Sequence, residues 1–262
     1  MSSLFSIDLR FTLSGFVVGL LVGQTGVGGG SLMTPLLVLV FGIHPATAVG
    51  TDLLYASVTK AVGTCVHGLN HTVDWRITRR LAYGSLPATM LTLIVMSHIE
   101  LGTETQGHVI SAVLGAMLIL TAFSLLFRRT VLTYAGPWLE RLTPRRSAWL
   151  TVVTGATLGV LVTISSVGAG ALGVTALLLL YPTAPMAVIV GSDIAHAVPL
   201  TLAAGAGHWI LGSVDGKLLC SLLTGSIPGI ILGSWFAARV PDFVLRPILA
   251  ATLTVVGVRI AL

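Results

Sequence analysis

Charge is what this sequence lacks most. Asp, Glu, Lys and Arg together make up 9% of its 262 residues, where a soluble domain carries about 25%. A soluble chain so poor in charge could not cover its own surface with polar groups, and that class is excluded. Cysteine is scarce as well: Cys65 and Cys220 both fall in apolar stretches. Two such cysteines give neither a disulfide framework nor the ligand spacing of a structural zinc site, and we read them as small packing residues. No metal site and no cofactor are expected. There is no glycine-rich nucleotide loop of the Walker type, so ATP hydrolysis is not indicated. Residues 1–10 show no basic stretch followed by a small-residue cleavage site. The first apolar segment is therefore expected to stay in the protein.

What the sequence has is apolar length. Hydrophobic residues make up 55% of it, in segments at 11–42, 46–68, 81–98, 108–127, 148–181, 187–211, 218–238 and 243–262. About 20 apolar residues cross a bilayer core as a helix. The segments are apolar all round, without the alternation of a barrel strand, so the spans are helices. The expectation is an all-α polytopic membrane protein of the inner cell membrane, with the lipid bilayer as its solvent. The net charge of +5 is read as basic cytoplasmic loops, and nucleic acid is not expected as a partner. Those loops are Arg76, Arg79 and Arg80, and a longer stretch with Arg128, Arg129, Arg141, Arg145 and Arg146.

The longer basic stretch divides the chain into halves that resemble each other. Gly15 and Gly19 match Gly155 and Gly159; Gly28-Gly29-Gly30 matches Gly168-Ala169-Gly170; Pro45 matches Pro185. After a one-residue insertion, Gly50-Thr51-Asp52 matches Gly191-Ser192-Asp193, and His67 matches His208. Val73-Asp74 matches Val214-Asp215, and Gly84-Ser85-Leu86-Pro87 matches Gly225-Ser226-Ile227-Pro228. Low-complexity apolar sequence does not keep Asp, His and Pro in step. We read a first transmembrane repeat over 1–127, a basic cytoplasmic connecting loop over 128–147 and a second repeat over 148–262. Repeats of this kind are a common plan for secondary transporters, with the site at their interface.

Segment 11–42 would be about 48 Å long as one helix, against a bilayer core of about 30 Å. Glycines interrupt both it and its counterpart, so each is read as two half-helices. We favour a re-entrant hairpin at the start of each repeat, followed by three full spans, which makes the repeats inverted. The alternative is a broken helix that crosses, with parallel repeats. Counting Lys and Arg on the two sides does not choose between them, and Arg10 ahead of the first segment favours the parallel form.

The glycine breaks are candidate substrate sites. Unwound backbone at membrane depth is tolerated where it lines a cavity or is buried in protein, and a restarting half-helix offers free N–H groups to an anion. This singles out Gly28, Gly29, Gly30 and Ser31 in the first repeat, and Ser165, Ser166, Gly168 and Gly170 in the second. The competing role for the glycines is close helix packing. Among ionisable residues inside the spans, Lys60 could bind an anionic substrate, neutralise Asp52 or snorkel to the headgroups. Asp52, Asp193 and His196, with His67 and His208 near helix ends, are candidates for coupling or gating. Capping and hydrogen bonding are their structural alternatives. Asp74 and Asp215 open the next helices and are read as caps.

These residues resemble the sulfite exporter TauE/SafE family, also called the toluene-sulfonate uptake permease family. The resemblance covers nearly the whole chain. It is carried by the run Gly19-Leu20-Leu21-Val22-Gly23-Gln24-Thr25-Gly26-Val27-Gly28-Gly29-Gly30, by Pro35, and by Ala48-Val49-Gly50-Thr51. Val73-Asp74-Trp75-Arg76 and Gly84-Ser85-Leu86-Pro87 add to it, as do Gly191-Ser192, Val214-Asp215 and Gly225-Ser226-Ile227-Pro228-Gly229 in the second half. The resemblance implies export or uptake of small sulfur-containing anions such as sulfite or organosulfonates. The expectation is a secondary transporter rather than an enzyme, with a small anionic substrate bound between the repeats and a homodimer left open as its assembly. The alternatives are a channel-like or metal-cation permease using the Asp and His residues, and a membrane enzyme or thiol-based sulfur carrier using Cys65 or Cys220.

Overall fold

The computed structural model describes residues 8–25, 30–98, 103–139, 143–236 and 242–261. Ten helices make up nearly all of these: α1 (Leu9–Thr25), α2 (Gly30–Leu39), α3 (Pro45–Leu69), α4 (Trp75–His98), α5 (Thr103–Leu139), α6 (Pro144–Ser165), α7 (Ala171–Leu180), α8 (Met186–Ile210), α9 (Gly216–Phe236) and α10 (Asp242–Ala261). The protein is therefore all-helical. Trp75–His98, Glu104–Tyr134, Pro144–Ser165 and Met186–Ile210 are each long and apolar enough to cross a membrane. Shorter apolar helices lie at Leu9–Val22, Ala171–Leu180, Gly216–Leu232 and Leu249–Ile260.

Polarity is turned inside out relative to a soluble protein. Leu91, Ile94, Phe123, Leu202 and Ile231 are exposed, while Asp52, Lys60, Asp193, His196 and His208 are buried. An outer surface of this kind suits lipid, and the polar groups line the interior. Two short helices, α2 and α7, have 10 residues each, about 15 Å, or half a bilayer core. They follow α1 and α6 across the two glycine-rich stretches.

The basic segment 128–147 departs from the loop read in the sequence. α5 continues through it to Leu139, and α6 starts at Pro144, capped by Thr143, whose hydroxyl accepts from Arg146 N at 3.4 Å. With 37 residues, α5 reaches about 55 Å, well beyond a core of about 30 Å. A helix that leaves the bilayer needs no apolar face, so charge there did not mark a loop.

Helix packing is organised by close glycine contacts. On the α1–α9 seam, Gly15 lies against Leu222 and Gly19 against Ser226, while Gly225 lies against Thr12 and Gly229 against Phe16. Residue numbers rise together, so α1 and α9 run parallel. The α6–α4 seam repeats this pattern: Gly155 meets Leu81, Gly159 meets Ser85 and Gly84 meets Val152. A β-carbon at these glycines would run into the facing backbone. Small residues let the backbones approach closely, as is common in membrane helix pairs. Across the α3–α8 seam the numbers run oppositely: Gly50 faces Ser213 and His208, Gly205 faces Leu54, and Gly191 faces Thr72 and His67. α3 and α8 are therefore antiparallel. Val49, Leu53, Val162, Ala169, Ala197 and Leu200 pack into one buried cluster where α3, α6 and α8 meet the second glycine break.

The expected caps form. Asp74 Oδ1 accepts from the N–H groups of Arg76 at 2.8 Å and Ile77 at 3.4 Å. Asp215 Oδ1 accepts from those of Lys217 at 2.9 Å and Leu218 at 3.1 Å. Each capped turn is also tied to the other half, since Asp74 N donates to Ser192 Oγ at 2.9 Å and Asp215 N to Thr51 Oγ1 at 3.1 Å.

Candidate functional site

The second glycine break is buried throughout from Ser165 to Gly170. α6 ends at Ser165, and Ser166 turns left-handed with φ 59°, its N–H held by Val162 O at 2.7 Å. Gly168 at φ 125° and Gly170 at φ 132° adopt backbone that side chains disfavour, which is why glycine is needed there. The Ser165 hydroxyl donates to Leu161 O at 2.7 Å and accepts from Val167 N at 3.2 Å. That serine therefore holds the end of α6 in shape. Of the first break, Gly28 and Gly29 lie outside the described residues. Gly30 opens α2, and Ser31 beside it is buried.

α3 brings Asp52 and Lys60 to this region. Asp52 Oδ2 accepts from the Thr34 hydroxyl on α2, and from the Ser166 hydroxyl at 2.9 Å. One carboxylate thus ties α2, α3 and the second break together. Lys60 is 8% exposed, and its ammonium turns inward to donate to the Ala169 carbonyl at 3.2 Å. Among the described residues it makes no contact ion pair; Asp193 and Asp52 act on it electrostatically from further off. Ser166 and the Ala169 carbonyl bring Asp52 and Lys60 to the same five-residue stretch of unwound chain.

α8 brings Asp193, His196 and His208. Asp193 lies against Gly173 on α7, where a β-carbon would strike its carboxylate. Neither of its oxygens has a hydrogen-bond partner among the described residues. His196 Nε2 pairs with Ser85 Oγ on α4 at 2.8 Å. His208 Nε2 donates to the Thr163 carbonyl on α6 at 2.9 Å. It thus satisfies one of the last carbonyls of the broken helix α6, rather than of its own helix as a capping histidine would. His67 is engaged locally, its Nδ1 paired with Thr72 Oγ1 at 2.8 Å in the turn that ends α3. The structure therefore gathers Asp52, Lys60 and Ser166 around the break, sets Asp193 within electrostatic range, and uses the three histidines as ties to α4, α6 and a turn. Among the described residues, no group of three or more His, Cys, Asp or Glu is placed to hold a metal ion.

Three contributors were not singled out in the sequence: Thr34, Ser85 and the Ala169 carbonyl. Thr34 did carry a signal. It is a hydroxyl three residues after Ser31, on a half-helix that apart from these two consists of apolar residues, glycine and proline.

Comparison with known proteins bears on the whole chain. The profile described as "Sulfite exporter TauE/SafE" matches residues 11–260. The chain is 38% identical to "Probable membrane transporter protein YjnA" of Bacillus subtilis (strain 168) over 254 residues, 97% of this chain and 99% of that one. It is 26% identical to "Probable membrane transporter protein YdhB" of the same organism, over 92% of this chain and 95% of that one. A shorter match, 37% over 70 residues, links it to "Probable membrane transporter protein YunE", also of that organism. No solved structure matches it. A multi-pass helical body, two broken helices and a profile match that begins in α1 and ends in α10 agree with one another: the chain is a membrane transporter of the sulfite exporter TauE/SafE family.

Proposed function

We propose that this transporter is a secondary carrier of small sulfur-containing anions, such as sulfite or organosulfonates, probed best as an exporter of the cell membrane. The observation that carries the reading is Lys60. An ammonium buried at membrane depth is costly unless a counter-charge meets it. Here a carbonyl orients it, and no carboxylate among the described residues touches it. An anion arriving at the break would meet this ammonium directly in a low-dielectric site, where Coulomb attraction is strong. The substrate positions we assign are Lys60, the Ser165–Gly170 break with Ser165, Ser166, Gly168 and Gly170, and the first break with Gly28, Gly29, Gly30 and Ser31.

We read the two halves as inverted repeats, each opening with a re-entrant hairpin. The matched α1–α9 and α6–α4 seams support this, as does the antiparallel α3–α8 pair. If counterpart helices α3 and α8 run oppositely, the axis relating them lies in the membrane plane. α1 and α9 run parallel, and so do α3 and α9: Thr51 on α3 meets the first residue before α9, and both helices lead away from there. α1 and α3 then start on one face, and the intervening α2 must return to it.

The test is uptake into proteoliposomes with labelled sulfite and a panel of sulfonates, with and without a pH gradient. Saturable uptake of one of these anions, lost in Lys60→Met, is expected. Transport confined to cations or to uncharged solutes would overturn the reading.

A further inference from the structure

The two matched aspartates of this site have unlike surroundings. Asp52 accepts hydrogen bonds from two hydroxyls, Thr34 and Ser166, both at Oδ2, while its Oδ1 has no partner among the described residues. Its counterpart Asp193 is 1% exposed, and neither oxygen has a partner among the described residues. The difference is written in the sequence. Where Asp52 meets Thr34, the matching residue on α7 is Val174, and Asp193 instead lies against the bare backbone of Gly173. A charged carboxylate with no donor is expensive in such a place, while a protonated one is not.

The other charged groups around it are few. From α3 come Lys60 and Asp52, with His67 held in its turn by Thr72. α8 itself adds His196, bonded to Ser85, and His208, bonded to the Thr163 carbonyl. α7 offers no ionisable group beside Asp193. The arginines of α4 and α6 lie in the first two turns of those helices, with Arg80 bonded to Tyr181 at 3.1 Å. Arg128 of α5, also buried, donates to Met186 Sδ at the start of α8 at 3.2 Å, and among the described residues Lys60 is the cation that acts on both carboxylates.

Charge balance then constrains the cycle. With Lys60 charged and both aspartates ionised, the cluster carries one net negative charge, a poor setting for an anion. Neutralising Asp193 as a monovalent anion arrives leaves the net charge unchanged. We propose that Asp193 is the proton-carrying group of this site: it gains one proton as the anion binds and loses it as the anion leaves, while Asp52 remains a structural tie. This rests on the anion-transport reading above. On one face of the membrane a proton from water forms an O–H bond with Asp193. On the other face that bond breaks and the proton returns to water. Lys60 keeps its charge throughout. Anion and proton therefore cross together in the same direction, one for one, and the loaded and empty carriers move with equal buried charge.

The experiment uses purified full-length protein and methanesulfonate, an anion whose own charge does not change with pH in the working range. Proton uptake on binding is followed with an indicator dye in weak buffer, and the protonation of buried carboxyl groups by infrared titration. In the wild type, one proton is expected per anion bound. Asp193→Asn, which imitates the protonated group, should bind the anion with no proton uptake, lose the titrating carboxylic-acid band, and fail to accumulate anion in response to a pH gradient while still exchanging labelled for unlabelled anion. Asp52→Asn, which leaves Asp193 in place, should keep the titrating carboxylic-acid band. Proton uptake that persists in Asp193→Asn, or anion binding by the wild type without any proton, would overturn the proposal. A wild type that shows the Asp193 band but binds neither methanesulfonate nor sulfite would instead overturn the anion reading beneath it.

Discussion

At the scale of single residues, Lys60 separates the possible roles most cheaply. Its ammonium points at a carbonyl of the unwound chain, so Lys60→Met should weaken anion binding by at least about tenfold, or about 1.4 kcal/mol. Lys60→Arg should retain part of it, because charge remains while shape changes. If Lys60 served only to neutralise Asp52, the Lys60→Met, Asp52→Asn double variant would recover binding measured on purified protein; we expect it not to. Asp52 answers to a different measurement. Asp52→Leu leaves the Thr34 and Ser166 hydroxyls buried without their acceptor, at a cost of about 1–3 kcal/mol. It should lower the unfolding midpoint in detergent, with Asp52→Asn milder because it still accepts. The charged residues stood out in the sequence because charge inside an apolar segment is rare. Thr34 and Ser85 did not, because hydroxyls are commonplace in membrane helices. Their importance depends on which residue of a distant segment faces them, and spacing along the chain does not carry that.

At the scale of helices, the seams decide stability. A β-carbon at Gly84 would run into the Val152 carbonyl, and one at Gly225 into that of Thr12. Gly84→Ala and Gly225→Ala should each destabilise by about 1–3 kcal/mol, as overpacked sites do. Gly68, near the end of α3, has nothing within 4 Å of such an atom, so Gly68→Ala should be neutral or stabilise by up to about 1 kcal/mol. Thermal unfolding of the three variants in one detergent checks the contrast, and equal effects at all three would contradict the seam assignment. Helix positions and the second break were legible from apolar run length and glycine. The pairing of α1 with α9 was not, since the partners lie most of the chain apart and both read simply as apolar. Segment 128–139 misled because Arg128 and Arg129 read as the start of a polar connection, while α5 continues through them to Leu139.

At the scale of the molecule, helix directions fix where charges sit. α4 and α6 run parallel, so Arg76, Arg79 and Arg80 share a face with Arg145 and Arg146, at the starts of those helices. α9 begins at the opposite face, with Lys217 in its first turn. By the positive-inside rule, the arginine-rich face is expected to be the cytoplasmic one. Cysteines introduced at Asn70, after α3, and at Leu211, after α8, should be labelled by impermeant reagents from opposite sides of the membrane, Asn70 from the cytoplasm. Labelling of both from one side would remove the inverted arrangement and leave the parallel one.

The two parallel seams bear on how the protein is made. α1 leaves the ribosome long before α9, the helix that fills its glycine face, and α4 likewise waits for α6. For most of synthesis the first half sits in the bilayer with a small-residue groove open to lipid and no partner for it. Insertion of this chain should therefore depend on the membrane's assembly machinery holding early helices until late ones arrive. Residues 1–142 and 143–262, expressed as separate polypeptides, should each be degraded alone and survive together, each completing a seam that the other began.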